Sequence, residues 1–290
     1  MKVIEITYRY DGSDAASRAR PADAEAARQR LDDGNRAFAA LLDRLDEGTG
    51  TAQRVIHVDP HDLGLRAGPD VAPAQRPFAA VLGCADARVP VELIFNEGPN
   101  GLFVVRVAGN GLGSEVLGSL KYAVDHLGGS LKLIVVLGHS GCGAVSAAVD
   151  VFLNPEAYLA LADQHSLRGI LDRLLVVVHA AAKKLETMFG PEVTRRRGYR
   201  DALIECAVVS NAALAAYTIQ QQIAGGDPNG LRAAYGVYLL AERQVWAPRS
   251  GSAECAGLAY PPQDEAAFAK FADAIVGSQR IAALLERGAA

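Results

Sequence analysis

The sequences FAAVLGCADAR at residues 78–88 and LKLIVVLGHSGCG at residues 131–143 decide the fold. Each begins with an apolar run that ends at a glycine, and reactive or charged side chains such as cysteine, histidine and aspartate follow that glycine. Short apolar runs bounded by glycine are typical of buried parallel strands. Because ligands of open α/β sheets bind at the carboxyl ends of the strands, we expect both sets of side chains to meet in one crevice.

The rest of the chain alternates strand and helix patterns around these two stretches. This rhythm predicts one α/β domain over residues 1–290, with a mainly parallel four- or five-stranded sheet flanked by helices and an N-terminal helical arm. The pattern divides it into an N-terminal arm (1–47), a core that contains both stretches (75–246) and a C-terminal loop and helix (247–290). Further strands are predicted at 103–107 and from 235 towards 246, and helices at 90–96, 114–127, from 143, 167–188, 201–223 and 265–285.

The N-terminal part has weaker signals. Alternating residues 3–8 indicate an edge strand, and the polar residues 11–18 indicate an arm. Apolar residues recur at helical spacing over 24–45, with Gly34 and Asn35 in the middle, which indicates one interrupted helix or two. Residues 48–77 show no periodicity and are predicted to form a long loop. The two histidines in that loop, His57 and His61, invite a metal site, but exposed loop histidines usually bind none.

Composition limits the possible partners. The net charge of −4 gives no electrostatic footprint for nucleic acid or an anionic membrane. The chain lacks a signal-like start and an uncharged apolar run of about 18 residues, so we expect a cytoplasmic protein. Four cysteines in 290 residues do not indicate a disulfide framework. Cys206 fits a buried small hydrophobe, and the state of Cys255 stays open.

Cys84, His139 and Cys142 form a candidate metal site. Two thiolates and one imidazole suit tetrahedral zinc, and three protein ligands leave the fourth position open, as in catalytic zinc sites. Asp86 is the nearest candidate for that fourth position. Arg88 stands beside it as an ion-pair partner, so the carboxylate can stay off the metal and accept a hydrogen bond from a water there.

Three other interpretations remain to be weighed. The two cysteines and the histidine can be ordinary packing residues at strand ends. The zinc can also be structural, with Asp86 as a permanent fourth ligand. A third interpretation, a dinucleotide-binding loop at residues 109–114, lacks the acidic residue that this motif requires after the next strand.

Taken together, Cys84-x-Asp86-x-Arg88-Val89 and Gly138-His139-Ser140-x-Cys142-Gly143 resemble the zinc site of the β-class carbonic anhydrases. The resemblance runs from about residue 31 to 149, and more faintly to 246. It implies Zn²⁺ as cofactor and the reversible hydration of carbon dioxide to bicarbonate and a proton. It also implies a homodimer or higher homo-oligomer, in which an N-terminal arm embraces a second subunit and the pocket is completed across the interface.

The resemblance also implies roles for single residues. Asp86, oriented by Arg88, is expected to be catalytic. The residues expected to contact substrate are Gln75, Phe103, Ala108, Tyr122 and the backbone amide of Gly143. Ala87 and Val107 depart from the family pattern, and the effect of Ala87 on rate stays open. Two alternatives share the site: a zinc hydrolase of carbonyl sulfide or carbon disulfide, and a non-catalytic regulatory protein with a closed zinc site.

Overall fold

The structure is a computed structural model that describes residues 3–10, 19–47, 50–65, 72–159, 165–248 and 255–287. The polar arm expected at 11–18 lies outside these residues. The strands are β1 Val3–Tyr10, β2 Thr51–Val58, β3 Ala79–Gly83, β4 Leu102–Arg106, β5 Leu133–His139, β6 Arg232–Tyr238, β7 Val245–Ala247 and β8 Cys255–Ala256. The helices are α1 Ala24–Glu47, α2 Val91–Ile94, α3 Ser114–Leu127, α4 Gly143–Leu153, α5 Glu156–Leu159, α6 His165–Phe189, α7 Tyr199–Ile219, α8 Glu265–Val276 and α9 Gln279–Glu286.

The central sheet has six strands in the order β4-β3-β5-β6-β7-β8. The first four are parallel and the last two are antiparallel, so the predicted α/β fold with a mainly parallel sheet is confirmed. Gly83 pairs with Arg106 on one side and with Leu137 on the other. This register brings the ends of β3, β4 and β5 to the same edge of the sheet.

Helices cover both faces of this sheet because its buried strands are apolar on both sides. Val81, Leu133 and Val135 face a cluster that includes α1 and α2. Leu82, Ile134 and Val136 face a second cluster that includes α3, α4, α6, α7, α8 and α9. Such two-sided burial is characteristic of parallel sheets. α1 therefore packs on the core of its own chain.

A second, two-stranded sheet is formed by β1 and β2, which pair in parallel from Val3↔Thr51 to Tyr10↔Val58 with α1 as the crossover. The prediction of a structureless loop over 48–77 is wrong in this part. Ala52, Ile56 and Val58 are buried, whereas polar side chains between them remain accessible. The charged and polar residues within β2 hide this alternation in the sequence, and its pairing partner is about 50 positions away.

α1 runs without a break through Gly34 and Asn35, so the predicted interruption is absent. Asn35 donates hydrogen bonds to the carbonyl oxygens of Ile94 and Arg243 and accepts one from the amide of Val245. A Cβ on Gly34 would lie 1.9 Å from the carbonyl oxygen of Phe95. The two residues are thus a site of close helix packing.

We expect Gly34→Ala to lower the free energy of unfolding by about 3 kcal/mol, since its methyl group overlaps a backbone atom that cannot move independently. Gly118→Ala is the matched control, because Gly118 lies inside α3 with nothing within 4 Å of the new Cβ. That control is expected to gain about 0.5–1 kcal/mol from helix propensity. Urea unfolding of both variants measures the difference, and equal stabilities would contradict the packing argument.

The C-terminal third departs from the prediction in three places. The strand expected to run from 235 towards 246 is divided into β6 and β7 by a turn in which Arg243 has φ +61°. The loop expected after residue 247 contains β8. The final helix is two helices, because Ser278 accepts a hydrogen bond from the amide of Ile281 and begins a new helix there.

One helical stretch, Tyr199–Ala224, is long and apolar enough to cross a membrane, with a mean hydropathy of 1.6. Within its most apolar window, 72% of the residues are buried inside the protein. This is the expected pattern for a helix at the centre of a globular core. It packs between the sheet and α6.

Candidate metal centre

Cys84, His139 and Cys142 meet at the carboxyl ends of β3 and β5. Cys84 directly follows β3, His139 is the last residue of β5, and Cys142 is the N-cap of α4. Their ligand atoms all lie within 4.8 Å of one another, and all three residues are buried. Among the described residues, this is the one group of three or more His, Cys, Asp or Glu side chains that could hold a metal ion. The convergence expected from the two motifs is therefore present in the fold.

The three donors fit a tetrahedral metal ion. The two sulfurs are 3.9 Å apart, and two thiolates at about 2.3 Å from a tetrahedral zinc would be about 3.8 Å apart. Nε2 of His139 is completely buried and has no hydrogen-bond partner within the described part of the chain. Its other ring nitrogen, Nδ1, lies 3.1 Å from the carbonyl oxygen of Ser140, which would keep Nε2 available as a ligand.

The two cysteine sulfurs shift each other's pKa. The pKa of Cys84 is held well below its ordinary value, first because Cys142 donates a hydrogen bond to its sulfur. The pKa of Cys142 is raised, first by the same bond and then by burial. The pair therefore favours one thiolate over two, and a second thiolate needs a positive charge beside it. A divalent cation supplies that charge.

Hydrogen bonds from Gly109 and Arg106 hold the loop after β3 in place beside the cluster. The amide of Gly109 donates to the sulfur of Cys84 at 3.4 Å. The Arg106 guanidinium donates to the carbonyl oxygens of Cys84 and Asp86 at 2.9 and 2.5 Å. Because Arg106 ends β4, the neighbouring strand fixes the position of the first ligand.

Asp86 lies beside the cluster and is held by Arg88. The Arg88 guanidinium donates to both carboxylate oxygens, at 3.0 and 2.7 Å, and its backbone amide donates to Oδ1 at 2.9 Å. These bonds hold the pKa of Asp86 far below its usual range, so the carboxylate is ionised at neutral pH. Its Oδ2 is 3.8 Å from Nε2 of His139, within reach of a metal ion bound there.

Glu205 supports the second loop and was missed from the sequence. It is buried on α7, accepts a hydrogen bond from the amide of Gly141 at 2.8 Å, and receives Arg280 from α9 at 3.2 Å. Gly141 has φ +61°, which lets the chain turn between His139 and Cys142. The available signal was a lone carboxylate inside an otherwise apolar helical run.

We expect Glu205→Ala to weaken metal affinity by roughly 10- to 100-fold, because the turn between two ligands loses its support. Arg280 keeps Glu242 as a partner at 3.0 Å, which limits the cost to the fold. Competition with a chromophoric chelator measures the affinity. Glu205→Gln, which keeps an acceptor oxygen, should restore most of it, and the exposed neighbour Asp201→Ala should leave it unchanged. Equal affinity in all three variants would remove Glu205 from the site.

The predicted substrate residues differ in how near they lie to the cluster of Cys84, His139 and Cys142. Ala108 lies in the short turn that carries Gly109, next to the cluster, and Gly143 is the first residue of α4, directly after Cys142. Gln75 is exposed and precedes β3, whereas Cys84 follows it. Phe103 is partly buried on the edge strand β4, and Tyr122 is 51% exposed on α3, where it stacks on His126.

The fold and the site together define an α/β protein with a Cys-His-Cys group that could hold a metal ion at the carboxyl ends of parallel strands. The family model described as carbonic anhydrase matches residues 79–228, just over half of the chain. The chain therefore belongs to the carbonic anhydrase family, and the resemblance to its β class is confirmed.

The identities to curated relatives agree with this assignment. Carbonic anhydrase 2 of Mycobacterium tuberculosis is 44% identical over 124 residues, which cover 43% of this chain and 52% of that protein. A carbonic anhydrase of Mycolicibacterium smegmatis is 48% identical over 86 residues, covering 30% and 41% respectively. This chain thus spans about half the length of the curated relatives it matches. The solved structure of the β-carbonic anhydrase CcaA aligns with a TM-score of 0.44 at 25% identity, over 61% of this chain and 81% of that one.

Proposed function

We propose that this protein catalyses the reversible hydration of carbon dioxide to bicarbonate and a proton, with Zn²⁺ held by Cys84, His139 and Cys142. The observation that carries the proposal is the buried Nε2 of His139, which has no hydrogen-bond partner among the described residues, beside two sulfurs 3.9 Å apart and an ionised carboxylate. Membership of the carbonic anhydrase family supports the reaction.

Each side chain of the centre has a distinct task in this proposal. The two cysteines and the histidine hold the metal, which supplies a water that is acidic enough to react at neutral pH. Asp86 accepts the hydrogen bond of the reacting water and orients it, and Arg88 keeps the carboxylate in that position. The amide of Gly143, at the start of α4, donates to the substrate oxygen on which negative charge develops. Ala108 forms an apolar wall for carbon dioxide.

A second subunit is part of the proposal. Gln75 and Tyr122 are exposed and Phe103 is partly buried, and we infer that they serve as substrate contacts across a homodimer or higher homo-oligomer. In this arrangement the amide of Gln75 donates to a substrate oxygen and the two aromatic rings complete the apolar pocket. We further propose a cytoplasmic location, with no nucleic-acid or membrane partner.

Metal analysis combined with stopped-flow hydration tests the proposal. We expect one zinc ion per chain and carbon dioxide hydration by the zinc-loaded protein that disappears on chelation and returns with zinc. The same preparation is assayed on carbonyl sulfide and carbon disulfide, and faster turnover of either would indicate the hydrolase instead. Full zinc with no turnover of any of the three gases would indicate a non-catalytic zinc protein.

A further inference from the structure

Helix α7 reaches the segment beside Cys84 through the side chain of Asn211. The Nδ2 amide of Asn211 donates a hydrogen bond to the carbonyl oxygen of Gly109 at 2.9 Å. The backbone amide of Gly109 in turn donates to the sulfur of Cys84 at 3.4 Å. We propose that Asn211 is a positioning residue of the metal centre, which holds the short turn at 108–110 so that its amide donates to the sulfur of Cys84.

The side-chain amide of Asn211 is an exception in its helix. Most residues of α7 between 202 and 219 are buried and apolar. Removing a polar amide from water is unfavourable unless it finds a hydrogen-bond partner. Here that partner is a carbonyl oxygen 102 positions earlier in the chain. The bond therefore attaches the turn to a distant core helix and not to its own sequence neighbours.

The turn that carries Gly109 also packs closely against two other helices. A Cβ at Gly109 would lie 3.1 Å from Cβ of Ala144 on α4 and 3.2 Å from Cδ1 of Leu174 on α6. Gly109 has φ +65°, a conformation that favours glycine. Packing limits how far the turn can shift, but it does not aim a hydrogen bond. Asn211 fixes the carbonyl group of this glycine, and that restricts the rotation of the amide that faces Cys84.

Two polar side chains of α7 reach the two sides of the metal-ligand cluster. Glu205 accepts a hydrogen bond from the amide of Gly141, in the turn between the other two ligands. Asn211 bonds to Gly109, beside Cys84. The two side chains are six positions apart, which is roughly 9 Å along a helix axis. One helix therefore holds the segments on both sides of the cluster.

The bond from the Gly109 amide changes the sulfur as a ligand. Hydrogen bonds to a ligand atom orient it and alter the electron density that it gives to a metal. An amide that donates to a thiolate draws electron density away from the sulfur. The inference thus rests on the metal site proposed above, and it concerns the ligand Cys84 and not the hydration reaction.

Hydrogen exchange in the metal-free protein tests whether Asn211 holds the turn. Asn211→Leu keeps the approximate size of the side chain but offers no donor to Gly109. We expect the amides of Gly109 and Asn110 to exchange roughly tenfold faster in this variant, because the turn opens locally more often. The amide of Gly141 is held by Glu205 and should keep its wild-type rate. Unchanged exchange at Gly109 would overturn the proposal.

Metal affinity tests whether the turn supports the ligand. Asn211→Leu should bind zinc roughly tenfold more weakly in competition with a chromophoric chelator, the lower end of what outer contacts of a ligand contribute. Ser210→Ala is the matched control on α7, because the Ser210 side chain makes no hydrogen bond within the described chain. Asn211→Gln keeps an amide donor and should recover part of the affinity. No weakening in Asn211→Leu, or equal weakening in Ser210→Ala, would contradict the proposal.

A cobalt-loaded sample distinguishes an effect on Cys84 from a general loss of stability. At saturating Co²⁺, the thiolate-to-metal charge-transfer band should move to longer wavelength in Asn211→Leu, because a sulfur without the amide donor gives up an electron more easily. A variant that is merely less stable would keep the wild-type band. Asn211→Ala removes the donor with a smaller side chain and should show the same shift, which covers the case that the leucine variant does not fold. A wild-type band in Asn211→Ala would count against the role of Asn211.

Failure of the proposed function would give a different set of results. A wild-type chain that binds no zinc would contradict that function, whereas the exchange rate at Gly109 would still test the hold by Asn211. Normal zinc binding and hydration in the wild type, together with unchanged exchange, affinity and spectrum in Asn211→Leu, would contradict the role of Asn211 alone.

Discussion

Cys142→Ser will lose the bound metal and the hydration activity together. The serine oxygen is a poor replacement for a thiolate, and only Cys84 and His139 remain as ligands of the original set. We expect less than about a tenth of the wild-type zinc content after dialysis, and a fall in turnover of roughly 100-fold or more. Metal analysis and stopped-flow hydration on the same sample provide the two measurements.

The fold should survive this substitution. Cys142 is the N-cap of α4 and makes no side-chain capping bond there, and serine is among the residues that cap helices best. The stability of the metal-free protein should therefore be unchanged or slightly raised, as urea unfolding would show. Retention of full zinc and full activity in Cys142→Ser would mean that the ligand set is wrong.

Cys206→Ser is the matched control. Cys206 is equally buried, on α7, but it is not part of the metal-binding group. Burial raises the pKa of its thiol, so it stays protonated. A buried hydroxyl without a new hydrogen bond costs about 1–3 kcal/mol of stability. We thus expect the opposite pair of effects: a less stable protein that retains its zinc and its activity.

The convergence of Cys84, His139 and Cys142 was predictable because these residues follow two strong strand patterns. Once Cys84 and His139 are placed at the ends of parallel strands, the sheet brings them together whatever their separation in the chain. Glu205 could not be found in this way. Its contact with Gly141 spans 64 positions and depends on how α7 lies across the sheet. A lone carboxylate in an apolar helix indicates a buried polar contact without naming its partner.

In the fold, too, elements with a clear local sequence pattern were predicted, and elements that depend on distant contacts were missed. The parallel strands β3 to β6 were predicted because each is a short apolar run, and the alternating residues of β1 also gave a correct strand. β2 was missed because its three buried residues are separated by polar and charged ones. The continuity of α1 was missed because glycine and asparagine usually weaken helices. Here Gly34 permits a close approach, and Asn35 hydrogen-bonds to three backbone groups of other segments.

Arg88→Ala is the second variant for which we expect a large effect. Unlike Cys142→Ser, it should retain zinc and lose activity. In the structure the Arg88 guanidinium holds both oxygens of Asp86. The carboxylate is already 3.8 Å from the ligand nitrogen of His139. Without the arginine it is free to turn into the fourth position of the metal and exclude the reacting water. We expect one zinc per chain and a fall in turnover of roughly 10- to 100-fold.

Protonation does not explain such a loss. Removing Arg88 raises the pKa of Asp86 from its lowered value towards the ordinary value of about 3.9. Asp86 is therefore ionised at pH 7 in both the wild type and Arg88→Ala, and what changes at that pH is the position of its carboxylate. Arg88→Lys keeps the positive charge but cannot hold both oxygens, so its activity should fall between that of Arg88→Ala and the wild type.

The double variant Asp86→Ala/Arg88→Ala distinguishes two causes of the lost activity. Asp86 can block the fourth position of the metal, or the reacting water can lose its orientation. If Asp86 blocks the metal in Arg88→Ala, removing the carboxylate as well should raise turnover above that of the single variant. If the arginine acts in another way, the double variant should be as slow as the single variant or slower. Because Arg88 is 63% exposed, its removal costs little packing, and all three variants should unfold near the wild-type urea concentration. An unchanged rate in Arg88→Ala would remove the Asp86–Arg88 pair from the proposed mechanism.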